Sequence, residues 1–304
     1  MNVRELGKIL SGVENRDAKA IRMLQKLYDQ RRGVPILGIT GPPGAGKSAL
    51  TDQLISLWRA KNQTVAVIAI DPSSPFTGGA VLGDRVRMQR HASDEGVFIR
   101  SVGSRGARGG LARAVYDLAV CFDAYGFERI IIETVGVGQT ELDITGIAHT
   151  TLVVLVPEAG DAVQTMKAGL NEIADIFVVN KADRPGASDL KAMLLTTVEM
   201  QPHTARSWLP PVLETQAIHG IGVPELLTKI EQHGTLPVSS GYILVKRREK
   251  IRGDLLLELL TEAVKRELLE KIEKDEKLKK IFNSVAAGQA NPYEALEKIL
   301  ATSK

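Results

Sequence analysis

The stretch Gly41-Pro42-Pro43-Gly44-Ala45-Gly46-Lys47-Ser48 constrains the fold more than any other part of the chain. Its spacing is that of a phosphate loop: a glycine, four residues, then Gly-Lys-Ser. The apolar run Val34-Pro35-Ile36-Leu37-Gly38-Ile39 before it reads as a buried strand, and the segment after it, to about Arg59, carries Leu50, Leu54 and Leu57 on one helical face. Glycines let a backbone curl until successive N–H groups point at one anion. The positive end of the following helix adds to that attraction. Gly41, Pro43, Gly44, Ala45, Gly46, Lys47, Ser48 and Ala49 are therefore the first candidate nucleotide contacts. Lys47 would reach the β- and γ-phosphates, and Ser48 would ligate Mg²⁺.

A second motif narrows the nucleotide to a guanine nucleotide. The apolar run Asp175-Ile176-Phe177-Val178-Val179 ends in Asn180-Lys181-Ala182-Asp183. An ionised carboxylate only accepts hydrogen bonds. Guanine offers N1–H and N2–H donors on one edge, whereas adenine presents an acceptor at N1, so Asp183 would select guanine. The Lys181 stem would lie along the base and Asn180 would brace the loop. Gln216 and Ala217, just past an apolar segment at 211–215, are grouped with these nucleotide-binding candidates.

Both motifs fall at the ends of apolar segments within an alternating pattern. Strands are expected over 34–39, 64–70, 97–101, 129–133, 151–156, 175–180 and 211–215, with amphipathic helices between them. That rhythm implies an α/β fold: a phosphate-loop NTPase domain over 34–236 with a mostly parallel, doubly wound sheet. Residues 2 to about 32 read as helical, with Leu6, Ile9, Leu10 and Val13 in one stripe and Ile21, Leu24, Leu27 and Tyr28 in another, giving an N-terminal extension over 1–33. Within a C-terminal helical arm over 237–304, residues 247–286 carry Leu255, Leu256, Leu259, Leu260, Val264, Leu268 and Ile272 at helical spacing, as one long helix or a broken pair. A last helix starts at Asn291-Pro292-Tyr293. Such an arm must fold back on the sheet domain or pair with another chain to bury its stripe.

Composition adds bounds. With 304 residues, 44% hydrophobic and 25% charged, the chain is ordinary for a globular protein, and a net charge of +3 is too small to argue for nucleic acid or an anionic membrane. Cys121 is the single cysteine, which excludes an intrachain disulfide and suits a reducing compartment. No apolar stretch is long enough to span a membrane, and Met1-Asn2-Val3-Arg4-Glu5 lacks signal-peptide character, so a cytoplasmic enzyme is expected.

The remaining machinery clusters at the same strand ends. Ile130-Ile131-Ile132 leads into Glu133-Thr134-Val135-Gly136, where phosphate-loop GTPases usually carry Asp-x-x-Gly. Glu133 would face Mg²⁺, and the Gly136 N–H would sense the γ-phosphate. Asp71, at the end of its strand, and Asp84, beyond the loop 72–79, are further oxygen donors beside Ser48. In Ras-like enzymes a glutamine follows the glycine and orients the attacking water. Here Val137 stands at that position, with Gln139 two residues further on. Slow intrinsic hydrolysis, accelerated by a partner, is the expectation. Lys47, Glu133, Gln139 and Lys167 are the catalytic candidates, and Arg85, Arg87, Arg105 and Arg108 are further cations.

Taken together, the phosphate loop, Asp71-Pro72-Ser73-Ser74-Pro75, Gly78-Gly79, Gly83-Asp84-Arg85, Glu133-Thr134-Val135-Gly136-Val137-Gly138-Gln139, the segment Gly160-Asp161 to Lys167, and Asn180-Lys181-Ala182-Asp183 resemble the MeaB/ArgK family. The resemblance runs from the N-terminal helices to Asn291-Pro292-Tyr293. It implies a homodimer formed through the C-terminal arm, GTP and GDP as the bound nucleotides, and Mg²⁺ held by Ser48, Asp71, Asp84 and Glu133. It also implies a partner, an adenosylcobalamin-dependent acyl-CoA mutase of the methylmalonyl-CoA type, whose cofactor loading is gated and which is protected during turnover. Lys167 matches the lysine of a loop that responds to that partner. Two alternatives stay open: a nickel-type metal-inserting GTPase, although the five histidines are scattered, and a transport-associated ATPase or kinase, which the guanine motif disfavours.

Overall fold

Val65-Ala66-Val67-Ile68-Ala69-Ile70 has no polar alternation, so as a strand it must be covered on both faces. The same holds for the runs beginning at Ile36, Thr150 and Ile176. The computed structural model, which describes residues 3–71, 89–91, 93–103, 110–134, 146–157, 173–200, 208–235 and 242–302, builds these runs into one sheet. Its strands are β1 (Ile36–Thr40), β2 (Val65–Asp71), β3 (Val97–Gly103), β4 (Arg129–Thr134), β5 (Thr150–Leu155), β6 (Ile176–Asn180) and β7 (Val212–Thr215). The order is β3-β2-β4-β1-β5-β6-β7. Every pairing is parallel. All seven expected strands are present, with ends shifted by one or two residues.

Helices cover both faces. They are α1 (Val3–Glu14), α2 (Ala18–Gln30), α3 (Lys47–Ala60), α4 (Gly110–Ala124), α5 (Ala187–Glu199) and α6 (Val223–Gly234). Alternation along each strand divides the core. Ala66, Ile68, Ile70, Ile130 and Ile132 point to the side packed by α1, α2 and α4. Val65, Val67 and Ile131 point to the side packed by α3 and α6. α5 closes a third cluster with Phe177 and Val179. On the first side, Phe98, Phe122 and Phe127 meet with ring centroids 5.4–6.3 Å apart, in the tilted and edge-on arrangements aromatic rings prefer.

The N-terminal region is a helical hairpin, with one expected stripe on each helix. Arg16, at φ 64°, turns the chain between α1 and α2. A Cβ on Gly12 would lie 2.7 Å from the Ala20 Cβ, so the close approach of the two helices needs that glycine. Leu6, Leu10, Val13, Leu24 and Leu27 are buried against the α4 side of the sheet. The Asp123 carboxylate then fastens the lead into β1, accepting from the N–H groups of Arg32, Gly33 and Val34 at 2.9, 2.8 and 3.2 Å.

The chain divides into two compact units, 1–249 and 250–304. The helices α7 (Tyr242–Lys274), α8 (Glu276–Ala286) and α9 (Pro292–Thr302) follow the sheet. The broken alternative holds in the arm. Asp275 accepts from the N–H groups of Lys277 and Leu278 and so caps α8. Asn291 accepts from the Tyr293 N–H at the start of α9. Ile272, Leu278 and Ile299 form a small buried cluster of their own. Leu256, Leu260 and Val264, spaced by four, are exposed. Among the described residues no helix is long and apolar enough to cross a membrane.

Candidate nucleotide site

In open parallel sheets, ligands bind beyond the carboxyl ends of the strands, where the strand order reverses. Here that point is the end of β1, with β4 on one side and β5 on the other. The phosphate loop leaves β1 at this point. Two of its glycines have steric reasons to be glycine. Gly41 takes φ +140°, and a Cβ there would stand 2.0 Å from the Val154 carbonyl oxygen. Gly46 takes φ +86°, and a Cβ there would meet the Asn180 amide at 2.3 Å. α3 begins at Lys47, so the first N–H groups of that helix lack intrahelical partners.

The polar side chains at this edge are buried and mutually bonded. Lys47 Nζ bridges its own loop, donating to the carbonyls of Gly41 at 2.7 Å and Pro42 at 2.9 Å. Ser48 Oγ donates to Glu133 Oε1 at 2.6 Å. Thr51 Oγ1 lies 2.7 Å from Glu133 Oε2 and 3.0 Å from the Lys47 carbonyl. With one proton to give, it favours the nearer, charged acceptor. Glu133 is 1% exposed, at the end of β4, and Asp71 is 2% exposed, at the end of β2 next to it.

This donor set fits Mg²⁺. The cation prefers oxygen ligands and keeps several waters. A serine hydroxyl that donates its proton to Glu133 is oriented and still offers lone pairs to a cation. Ser48, Asp71 and Glu133 supply hard oxygens at one edge. Asp84 lies outside the described residues, as do Gly136, Val137, Gln139, Lys167, Arg85, Arg87, Arg105 and Arg108.

Asn180 ties the end of β6 to the phosphate loop and to the end of β7. Asn180 Nδ2 donates to the Ala45 carbonyl at 2.8 Å. Its Oδ1 accepts from Thr215 Oγ1 at 3.1 Å and from the Ala217 N–H at 3.0 Å. The end of β6, the end of β7 and the phosphate loop are thereby held together. Lys181 adopts φ 55°, the left-handed region that costs a non-glycine residue energy. The Ala182 N–H donates to the Thr215 carbonyl at 3.1 Å, and the turn that follows leaves Asp183 exposed. The Gln216 N–H pairs with the Ile221 carbonyl at 3.0 Å. A cavity of about 400 Å³ is lined by Gly46, Ser48 and Ala49 on one side and Ala217 and Ile218 on the other.

Four contributors have no signal in the sequence. Thr51 shares Glu133 with Ser48. Asp52 and Gln53 line the same cavity from α3. Arg90, also in the cavity wall, donates from Nε to Asp52 Oδ1 at 2.6 Å and from a terminal nitrogen to Ser56 Oγ at 3.1 Å. Asp52 also faces His91 Nε2 at 3.0 Å. Arg90 and Asp52 stand 38 residues apart, and no motif joins them.

A parallel doubly wound sheet, a phosphate loop after its first strand and Asn-Lys-x-Asp after its sixth define a phosphate-loop GTPase. The chain belongs to the MeaB family: residues 6–276 match the family described as methylmalonyl Co-A mutase-associated GTPase MeaB. A protein of Pyrococcus horikoshii described as a GTPase is 45% identical over 302 residues, 98% of this chain and 93% of the relative. The GTPase ArgK of Escherichia coli is 36% identical, covering 77% of this chain and 70% of its own. The mouse protein named methylmalonic aciduria type A homolog, mitochondrial, is 30% identical over 81% of this chain and 59% of its own. Among solved structures, a LAO/AO transport system kinase superposes with a TM-score of 0.60 over 99% of this chain and 98% of its own. At 22% identity that likeness bears on the fold alone. The chain is a GTPase of this family.

Proposed function

We propose that this GTPase is a chaperone that gates cofactor loading into an adenosylcobalamin-dependent acyl-CoA mutase of the methylmalonyl-CoA mutase type and protects it during turnover. The observation that carries the reading is the match over residues 6–276 to a family described by its association with methylmalonyl-CoA mutase. The similarity to the mouse methylmalonic aciduria type A homolog agrees with it.

In this reading the β- and γ-phosphates of GTP enter the curl of the phosphate loop. The Lys47 ammonium exchanges the carbonyls of Gly41 and Pro42 for phosphate oxygens. Ser48, Asp71, Glu133 and Asp84 would hold Mg²⁺, which when bound would neutralise charge on those phosphates. Asp183 accepts from guanine N1–H and N2–H, and the Lys181 stem covers the base. Asn180 keeps the loop and the base site in register, while Ala49, Gln216 and Ala217 flank the nucleotide. With Val137 where a water-orienting glutamine would stand, hydrolysis is slow alone and accelerated by the mutase, with Gln139 and Lys167 as the catalytic candidates it would act through. The exposed Leu256, Leu260 and Val264 of the arm pack against a second copy in a homodimer. The single cysteine suits work in the cytoplasm.

The test is GTP hydrolysis by the purified chain, alone and with an adenosylcobalamin-dependent acyl-CoA mutase from the same organism. Acceleration by the mutase is expected. No change in rate and no complex with any such mutase, despite tight GTP binding, would overturn the chaperone reading and leave the GTPase with another client.

A further inference from the structure

The edge of the sheet opposite the phosphate loop, where β1 and β4 begin and α3 and α6 end, holds a second cavity of about 340 Å³. Its apolar wall is Ile36 and Leu37 from β1, Ile130 from β4 and Ile230 from α6, with Trp58 from α3. Its polar wall is Lys61, Gln63, Arg129 and Glu231. Nothing in the nucleotide chemistry uses these residues.

Three observations point to a missing anion. The first is an under-used guanidinium. Arg129 Nε donates to Gln63 Oε1 at 3.1 Å, a terminal nitrogen stands 3.9 Å from Glu231, and the guanidinium carbon lies 5.7 Å from the Trp58 ring centre. Guanidinium carries five N–H donors in a fork that matches a carboxylate. Second, the charges do not balance. Glu231 already accepts from Lys61 Nζ at 2.9 and 3.1 Å, so two cations share one carboxylate. The third is Trp58 itself, 2% exposed, whose indole N–H has no hydrogen-bond partner among the described residues. Buried donors are almost always satisfied, so this end of α3 lacks an acceptor. The side chains of Arg129 and Lys61 are 27% and 49% exposed, so the polar wall is reachable from solvent.

We propose that this cavity binds a small organic carboxylate with a hydrocarbon body. The carboxylate forks onto Arg129 with Lys61 beside it, and the hydrocarbon lies on Ile36, Leu37, Ile130 and Ile230. The cavity equals the liquid volume of about eleven waters at about 30 Å³ each, which sets the ligand at about ten non-hydrogen atoms. A phosphate monoester is disfavoured, because Glu231 would face its second negative charge. The site is independent of the mutase partner proposed above.

The probe is octanoate, titrated into the full-length protein and followed by saturation-transfer NMR of the ligand and by tryptophan fluorescence. Octylammonium, equal in length and opposite in charge, controls for nonspecific apolar binding. Saturable octanoate binding that octylammonium does not compete is expected, with Trp58 emission changing on saturation. Arg129→Gln should weaken octanoate at least about tenfold. Arg129→Lys, which keeps the charge and loses the fork, should also weaken it. Unchanged GTP binding by both variants shows that they are folded. Absence of saturable binding at millimolar octanoate, equal binding of octylammonium, or full octanoate affinity in Arg129→Gln would each overturn the assignment.

Discussion

Replacing Asn180 by alanine removes a side chain that bonds the phosphate loop to the ends of β6 and β7. Asn180 is 2% exposed and makes three hydrogen bonds, to the Ala45 carbonyl, Thr215 Oγ1 and the Ala217 N–H. Each is worth about 1 kcal/mol net, so the variant should lose about 3 kcal/mol, and more if the abandoned Ala45 carbonyl and Ala217 N–H find no water. At a urea slope of about 2.5 kcal/mol/M, that is a fall of about 1 M in the unfolding midpoint. The effect on ligand binding should exceed what stability alone implies, because the loop proposed to cradle phosphate loses its anchor to the loop proposed to read the base. Urea unfolding followed by circular dichroism measures the first quantity, and titration with a fluorescent GTP analogue below the unfolding range measures the second. GTP affinity should fall by at least about tenfold, equal to about 1.4 kcal/mol. A midpoint within about 0.3 M of the parent, together with unchanged GTP affinity, would show that the bonds are incidental and refute the coupling argument.

Asp183→Asn should weaken GTP by about 10²–10⁴, since two hydrogen bonds to a charged acceptor at about 1.5–3 kcal/mol each are lost or reversed. Xanthosine triphosphate, whose C2 carbonyl accepts from an amide, should gain relative to GTP. A competition titration that still favours GTP undiminished would remove Asp183 from the base site. Asp94 gives a pH prediction. Its carboxyl is held below the ordinary 3.8, chiefly by the hydrogen bond from Arg59 and next by the Gly96 N–H. A depressed carboxyl contributes stability that is present above 3.8 and lost as the pH falls through its lower folded value. Asp94→Asn should therefore cost about 1 kcal/mol at neutral pH and flatten the acid limb of the stability profile. An acid limb identical to the parent's would count against it.

The fold was readable because its determinants are local. A parallel strand buried on both faces is a short apolar run, and β1, β2, β5 and β6 are five to seven residues long, mostly apolar and buried throughout. The phosphate loop and Asn180-Lys181-Ala182-Asp183 were readable because their chemistry needs fixed residue types at fixed spacing. What stayed hidden was long-range and unpatterned. The Asp52–Arg90 pair depends on where the chain returns to α3. The α1–α2 turn hangs on Arg16 at a positive φ that composition does not signal, since the apolar stripes continue on both sides of it. The cavity at the far edge draws its lining from β1, α3, β4 and α6, and no window of sequence contains it.

The departure at Glu133 from the usual Asp-x-x-Gly has a physical reason in what the longer side chain reaches. One oxygen takes the Ser48 hydroxyl at 2.6 Å and the other takes Thr51 at 2.7 Å, one helical turn further along the buried face of α3. Aspartate would withdraw the carboxylate by one methylene, about 1.5 Å, so it could not hold both hydroxyls without moving β4 towards α3. Those two elements are packed in the core, where such shifts are resisted. Glu133→Asp should therefore give up one charge-assisted hydrogen bond, about 1.5–3 kcal/mol. For a domain of this size that lowers the melting temperature by about 5 °C. It should also free the Ser48 hydroxyl to rotate, which loosens the proposed cation site and lowers the gain in GTP affinity that Mg²⁺ confers. Melting the parent and the variant without nucleotide, and then titrating GTP with Mg²⁺ and with a chelator, separates the two effects. A variant that melts with the parent and keeps its full Mg²⁺-dependent gain would show that an aspartate serves equally and that Thr51 is no part of the site.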